Sequence, residues 1–200
     1  VLPASIGDRV WRDADADGEQ DVGESGIPTV TVRLYNDTGA FAASTTTDPS
    51  GTYTFTNLLP GDYFLAFDAP ADYVFSARDQ GGDDAKDSDA DPATGQTTTT
   101  ALSAGEDDAS WDAGIHRLSA IGDRVWIDDD ADGLQDPDEV GLSGVAVKLY
   151  SAAGTFVAST TTITDARYSS AGLPPGSYQL EFAPPTGYLR CNCMANTNRT

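Results

Sequence analysis

The stretch IGDRVWRDADADGEQDVGESGIPTVTVRLY, residues 6–35, contains the pattern that decides the fold. It ends in an alternating segment in which Val30, Val32 and Leu34 share one side of the chain. Alternation with period two and β-branched residues predicts a β-strand with one buried face. The opening IGDRVW is also strand-like, and no part of the chain shows convincing helical periodicity. The stretch therefore predicts two strands joined by a long acidic loop.

The loop between these strands, residues 13–24, has acids at its positions 1, 3, 5, 9 and 12 and glycine at position 6. This is the ligand spacing of an EF-hand calcium loop, although an EF-hand has a helix on each side. The alternative is a solvated acidic turn without a bound cation. Against it, five such carboxylates make ten repulsive pairs, and each pair costs about 0.8 kcal/mol at ~5 Å in water. Oxygen ligands with a closing glutamate favour Ca²⁺ over Mg²⁺. The predicted calcium ligands are Asp13, Asp15, Asp17, Glu19 through its backbone carbonyl, Asp21 and Glu24.

The same pattern returns 115 residues later as IGDRVWIDDDADGLQDPDEVGLSGVAVKLY, residues 121–150. The offset holds without insertion as far as Tyr73 and Tyr188, which indicates a tandem duplication of one module. Position 7 of the loop changes from glutamate to leucine, as expected where only the main chain binds a cation. The second set of predicted ligands is Asp128, Asp130, Asp132, Leu134 through its backbone carbonyl, Asp136 and Glu139.

Short alternating segments separated by Gly, Pro and Asp turns predict an all-β chain with an Ig-like β-sandwich in each module. We predict a first module at residues 5–117 and a second at 118–188. The second has no counterpart of the strands expected within residues 97–115, and so is expected to be truncated and less stable. Residues 189–200 form a non-homologous polar tail.

Composition limits the partners of this chain. Its formal net charge is −21, from 32 acidic residues against 11 lysines and arginines. Such a chain repels nucleic acids and anionic membranes, so neither is expected as a direct partner, and it attracts cations. No run approaches the roughly 18 apolar residues of a membrane span.

A further acidic cluster lies at residues 78–95, RDQGGDDAKDSDADPATG. One interpretation is a mobile charged loop. The other is a second cation site with Asp87 and Asp89 as ligands and Asp8 of the IGD turn as a third. The spacing matches no defined loop and leaves the two interpretations open.

Residues 6–35, together with TTTDPSGTYTFTNLLPGDYFLAF at 45–67, resemble the SdrD B-like repeat of serine-aspartate-repeat surface adhesins. These repeats belong to the wider Cna B-type group of β-sandwiches. The resemblance implies a calcium-rigidified stalk or spacer that holds another domain away from a bacterial surface. It also implies calcium sites beyond the EF-hand-like loop, and an extracellular location, at the cell surface or secreted.

Some Cna B-type domains are instead crosslinked by a Lys–Asn isopeptide bond. The chain has only Lys86 and Lys148, and the equivalent of Lys148 in the first module is Arg33, which cannot form the bond. We therefore expect the fold to be held by metal.

Three functions are compared. The first is the non-catalytic calcium-dependent spacer, whose partners are calcium ions and neighbouring modules of the same chain. The second is an adhesion module that binds a carbohydrate or an unidentified host or cell-surface protein through aromatics such as Tyr35, Tyr73 and Trp111. The third is an enzyme, which we do not expect, because no nucleophile, zinc or phosphate-loop motif is present and the only histidine, His116, is expected in the linker between modules.

Overall fold

The structure is a computed structural model that describes residues 2–190. The chain divides between Leu118 and Ser119 into two compact units, which we call the first and second module. Every regular element among the described residues is a β-strand, so the loop at residues 13–24 joins strands and not helices. The all-β prediction is confirmed. No helix in this part of the chain could cross a membrane.

The first module consists of two sheets built from nine strands. One sheet has the order β4-β1-β9-β6, with β8 also pairing with β1, and the other has the order β3-β2-β5-β7. The strands are β1 (Ala4–Arg12), β2 (Thr31–Asn36), β3 (Phe41–Thr46), β4 (Thr52–Leu58), β5 (Gly61–Asp68), β6 (Tyr73–Phe75), β7 (Thr100–Leu102), β8 (Asp107–Asp108) and β9 (Ala113–Arg117).

The core of the first module lies between these sheets. Val32 and Leu34 of β2, and Val30 just before it, are 0–1% exposed, as their alternation predicts. They join buried residues of the opposite sheet, including Ile6 of β1 and Ile115 of β9, in one hydrophobic cluster. Burial of alternate residues from both sheets is what makes this a β-sandwich.

The β3–β4 turn shows why glycine is needed at one position. Gly51 has a φ of +83°, and a Cβ atom there would lie 2.3 Å from the carbonyl oxygen of Val10. The turn is further held by Asp48 Oδ1, which accepts hydrogen bonds from the backbone amides of Ser50 and Thr52. The turn at Pro49, Ser50 and Gly51 is therefore fixed by both backbone conformation and packing.

The second module repeats the first five strands. Its sheets have the orders β10-β13 and β12-β11-β14. Val145, Val147 and Leu149 are 0–1% exposed and repeat the buried face of β2. Residues 119–190 contain no equivalents of β6 to β9. The strands are β10 (Ser119–Arg124), β11 (Ala146–Ser151), β12 (Phe156–Thr161), β13 (Arg167–Leu173) and β14 (Tyr178–Ala183).

Candidate metal centre

The first acidic loop, residues 13–24, leaves the end of β1 and is organised around Asp13. Asp13 is 1% exposed. Its carboxylate accepts hydrogen bonds from the backbone amides of Ala16, at 2.6 Å, and Gly18, at 2.9 Å. These bonds bend the chain back over the Asp13 side chain.

Three carboxylates converge inside this loop. One oxygen from each of Asp13, Asp15 and Asp17 lies within 4.8 Å of the others. The pKa of Asp15 is raised, first by desolvation and then by the charges of Asp17 and Asp13. The arrangement is electrostatically unfavourable alone and favours a bound cation.

Glu24 closes the loop at its far end. Its carboxylate accepts hydrogen bonds from the amides of Ala14, at 2.6 Å, and Asp21, at 3.0 Å. Neither Glu24 nor Asp21 belongs to the convergent group of three. Glu19 donates its amide to Asp17 Oδ1 at 2.9 Å. These contacts tie Glu24 back to the start of the loop, in which three of the predicted ligand carboxylates lie close together.

The second acidic loop, residues 128–139, has the same construction. Glu139 accepts hydrogen bonds from the amides of Asp129, at 3.1 Å, and Asp136, at 2.9 Å, as Glu24 does in the first loop. Two overlapping groups of convergent carboxylates share Asp130. The first contains Asp128, Asp130 and Glu139, and the second contains Asp130, Asp132 and Asp136.

Position 4 of each loop has a conformation that the sequence did not reveal. Ala16 and Ala131 have φ values of 62° and 61°, in the left-handed region that non-glycine residues rarely adopt. Gly18 and Gly133, at the predicted turn position, have φ values of 86° and 79°. An alanine carries no sequence signal for this conformation, whereas the glycine does.

The cluster at residues 78–95 brings Asp87 and Asp89 together with Asp79, and not with Asp8, which had been the expected third member. Asp87 and Asp89 are buried. Oδ1 of Asp87 has no hydrogen-bond partner among the described residues. Desolvation, followed by the negative charges of Asp84 and Asp79, raises the pKa of Asp87.

The backbone joins this cluster to the first acidic loop. Glu19 and Asp87 form an antiparallel bridge. Its hydrogen bonds run from the amide of Ser88 to the carbonyl of Gly18, at 3.0 Å, and from the amide of Gln20 to the carbonyl of Lys86, at 2.6 Å. The carbonyl of Glu19, which is the predicted main-chain ligand, takes part in neither of these two hydrogen bonds.

Asp112 adds a buried acid that sequence reasoning missed. It is 0% exposed, and its Oδ2 has no hydrogen-bond partner within residues 2–190. Its amide donates to Asp89 Oδ2 at 2.6 Å. Desolvation, followed by the charges of Asp8 and Asp89, raises the pKa of Asp112 to about 9, and desolvation raises the pKa of Asp89 to about 8. The negative charge of Asp8 therefore acts on the carboxyl group of Asp112.

Comparison with known proteins decides the family. A sequence model described as the SdrD B-like domain matches residues 4–115 and 119–200. The chain belongs to this family.

The chain is also similar to named staphylococcal proteins. It is 40% identical over 185 residues to the serine-aspartate repeat-containing protein F of Staphylococcus epidermidis, an alignment covering 92% of this chain and 11% of that protein. It is 38% identical over 196 residues to the serine-aspartate repeat-containing protein D of Staphylococcus aureus strain Newman, covering 97% of this chain and 14% of that protein. The chain thus spans about a tenth to a seventh of their length.

Similar solved structures are more distant. The Bacillus anthracis TIE protein has a TM-score of 0.39 and 18% identity, over 94% of this chain and 29% of that one. A streptococcal ancillary pilin has a TM-score of 0.39 and 15% identity, over 96% of this chain and 57% of that one.

The SdrD B-like modules have side chains that fit calcium. The convergent donors are carboxylate oxygens, which suit a hard cation. A buried carboxylate oxygen without a partner, such as Asp87 Oδ1, is costly unless a proton or a cation satisfies it. The donor chemistry and the unpartnered oxygen therefore agree with the calcium prediction.

The aromatic residues considered for ligand binding are partly buried in the SdrD B-like fold. Tyr73 and Trp111 pack against the core of the first module. Tyr35 stacks on Phe64 with ring centroids 5.2 Å apart and contacts the edge of Phe41 at 5.9 Å. These contacts explain the three aromatics as packing residues.

The two lysines considered for an isopeptide bond each lie beside a carboxylate. Lys86 forms an ion pair with Asp83 at 2.6 Å, and Lys148 lies 3.7 Å from Glu181.

The prediction that His116 lies in the linker between modules was wrong. His116 lies in β9 and is 7% exposed. Its Nδ1 lies 3.1 Å from Ser76 Oγ, and burial lowers its pKa. The predicted tail is outside the described residues except for residues 189–190.

Proposed function

We propose that this chain is a non-catalytic, calcium-binding spacer segment of a bacterial cell-surface or secreted multidomain protein. The observation that carries the proposal is the convergence of Asp13, Asp15 and Asp17 within 4.8 Å. An equivalent loop, with its own convergent carboxylates, occurs 115 residues later. Membership of the SdrD B-like family supports the structural role.

Calcium would supply the positive charge that the acidic loops lack. In the first loop the ligands would be the three convergent aspartates, with Glu19 through its carbonyl, Asp21 and Glu24 as predicted. In the second they would be Asp128, Asp130, Asp132, Leu134 through its carbonyl, Asp136 and Glu139. Asp79, Asp87 and Asp89 would hold a further cation in the first module.

Metal binding would stiffen more than one loop in the first module. The Glu19–Asp87 bridge joins the first acidic loop to the cluster at residues 78–95. A cation held at either site restricts the backbone that both share, which resists local opening. Repeating a stiff module extends the chain without requiring a large core, and this suits a spacer.

An extracellular location agrees with the metal requirement. Extracellular calcium modules bind at about 10⁻⁴–10⁻³ M, a concentration found outside cells. The net charge of −21 disfavours nucleic acids and anionic membranes as partners. The proposed partners are therefore calcium ions and neighbouring modules of the same polypeptide.

Calorimetric titration of the decalcified full chain tests the proposal. We expect three calcium ions per chain, one for each acidic loop and one for the Asp79 cluster, because the two groups in the second loop share Asp130. Absence of binding at millimolar calcium would refute the proposal.

A matched pair of variants in the second loop tests the ligand assignment. Asp130→Asn removes a predicted ligand, whereas Asp129→Asn removes the same charge at an exposed position that is not a predicted ligand. We expect Asp130→Asn to abolish one binding event and Asp129→Asn to leave three. Equal weakening by both variants would show that net charge, and not a defined site, attracts the cation.

A further inference from the structure

An arginine in the first strand of each module contacts the glutamate that closes its acidic loop. We propose that Arg9 in the first module and Arg124 in the second are positioning residues for calcium. Each guanidinium holds the backbone carbonyl of the closing glutamate, so that the glutamate carboxylate can meet a calcium ion with both oxygens. This role rests on the proposed calcium function and extends it to two residues that are not ligands.

The arginine contact occurs in both modules. In the first, the half-buried Arg9 of β1 donates from Nη2 to the carbonyl of Glu24 at 3.0 Å. In the second, the half-buried Arg124 of β10 donates from Nη2 to the carbonyl of Glu139 at 3.3 Å. No other lysine or arginine stands unchanged at equivalent places in residues 4–75 and 119–190 of the sequence. The duplicated sequence therefore keeps this cation and changes the others.

Arg9 also ties the closing glutamate to a neighbouring turn. Its Nε donates to the carbonyl of Ser50, in the β3–β4 turn, at 3.2 Å. The end of the acidic loop packs tightly on this turn, since a Cβ atom on Gly26 would lie 1.7 Å from the same carbonyl oxygen. The guanidinium thus joins two backbone carbonyls from separate segments, which its fixed fork of donors suits better than a lysine ammonium does.

The remaining polar groups of the closing glutamate bond only within the loop. The amide of Glu24 donates to the carbonyl of Asp21 at 3.2 Å, and its carboxylate accepts from the amides of Ala14 and Asp21. Glu139 repeats these three bonds in the second loop. The arginine therefore supplies the bond that anchors the closing glutamate to the first strand of the sandwich.

The charge of this arginine alone would work against calcium. A guanidinium beside the loop repels a divalent cation, so its removal should strengthen binding if charge were its main effect. Fixing the glutamate has the opposite sign, because groups that orient a metal ligand typically contribute about ten- to hundredfold to affinity. A bidentate glutamate also favours Ca²⁺, which takes about six to eight oxygens, over Mg²⁺, which demands a strict octahedron. The sign of the affinity change therefore separates the two effects.

The experiment titrates calcium, and separately magnesium, into the isotopically labelled full chain and follows the amide resonances of each acidic loop. Arg9→Gln is compared with Arg12→Gln, which removes the same charge directly before the loop. Arg12 is exposed, and its side chain has no hydrogen bond or ion pair within residues 2–190. We expect Arg9→Gln to weaken calcium binding at residues 13–24 about tenfold and magnesium binding less. Arg12→Gln should leave calcium affinity unchanged or slightly higher.

The second loop controls for general damage to the chain. In Arg9→Gln, the resonances of residues 128–139 should titrate as in the unsubstituted chain, and Arg124→Gln should weaken binding there and not at residues 13–24. Tighter or unchanged calcium binding in Arg9→Gln, equal weakening by Arg12→Gln, or an equal loss for calcium and magnesium would overturn the positioning role.

A second readout needs no calcium. The amides of Ala14 and Asp21 are bonded to the Glu24 carboxylate, so in EGTA Arg9→Gln should speed their hydrogen exchange while the amides of β2 keep their rates. Unchanged exchange at these two amides, or equal acceleration throughout the module, would contradict the assigned role. Calcium binding by the unsubstituted chain with no loss in Arg9→Gln refutes the positioning role alone, whereas no binding by the unsubstituted chain refutes the proposed function as well.

Discussion

Removal of calcium by EGTA should lower the thermal stability of both modules. One oxygen from each of Asp13, Asp15 and Asp17 lies within 4.8 Å of the others, which gives three repulsive pairs. Each pair costs about 0.9 kcal/mol in water, which is the appropriate medium because Asp15 and Asp17 are exposed. Without calcium the three pairs together therefore cost the folded loop roughly 3 kcal/mol, before counter-ions screen them.

The expected shift in melting temperature follows from ligand linkage. A site at a hundredfold excess of free calcium over its dissociation constant stabilises the folded state by about 2.7 kcal/mol. In a module of this size each kcal/mol corresponds to about 4 °C, so each site contributes about 10 °C. With two proposed sites, the first module should fall by about 20 °C and the second by about 10 °C.

Scanning calorimetry of the full chain measures both shifts. The variant Glu139→Gln assigns the transitions, because it should lower only the melting temperature of the second module in calcium. Magnesium at the same ionic strength controls for general screening of the negative chain. Identical melting temperatures in EGTA and in calcium would refute the reasoning.

Three other predictions follow from particular contacts. In EGTA, the pKa values of Asp89 and Asp112 in the folded first module are raised to about 8 and about 9. These two carboxyl groups therefore hold protons in the folded state that they release near pH 4 in the unfolded chain. The free energy of unfolding of this module should therefore fall as pH rises from about 4 to about 9, and urea unfolding of Asp112→Asn should show a weaker fall; a stability that rises over this range would be contrary to this account. Tyr53→Phe should destabilise the first module by about 0.5–1.5 kcal/mol, since the part-buried carbonyl of Trp111 loses the donor that the Tyr53 hydroxyl supplies; urea unfolding measures this, and no change would mean that water replaces the donor. Gly39→Ala has open space for the new Cβ atom and should cost about 1–2 kcal/mol through its positive φ alone, whereas Gly51→Ala also meets a backbone oxygen and should cost clearly more; equal costs in chemical denaturation would show that the turn relaxes.

The sequence predicted the strands with strong alternation. Val32 and Leu34 of β2, and Tyr53 and Phe55 of β4, are buried as their spacing requires. The acidic loops were also recognisable, because an EF-hand-like spacing fixes the order of the acids along the chain. Whether calcium binds there stays a prediction that titration must test.

Other features depend on tertiary contacts that no local pattern reveals. Asp79 joins Asp87 and Asp89 through a loop without periodicity, in which Asp79 itself has a φ of 56°. Asp112 stands between a tryptophan and an alanine with no ligand-like spacing, and only the fold brings it to Asp89. His116 resembled a linker residue because it lies near the end of the first repeat, yet β9 continues through it.

The pairing of β1 with β9 has a mechanical consequence. These strands lie near the two ends of the first module and run parallel, with Val10, Trp11 and Arg12 opposite Ala113, Gly114 and Ile115. Tension that pulls the module from both ends therefore draws the two strands in opposite directions along their length. Their hydrogen bonds are loaded together in shear and cannot be peeled apart one by one. The first module should accordingly resist extension best along the direction in which its chain enters and leaves.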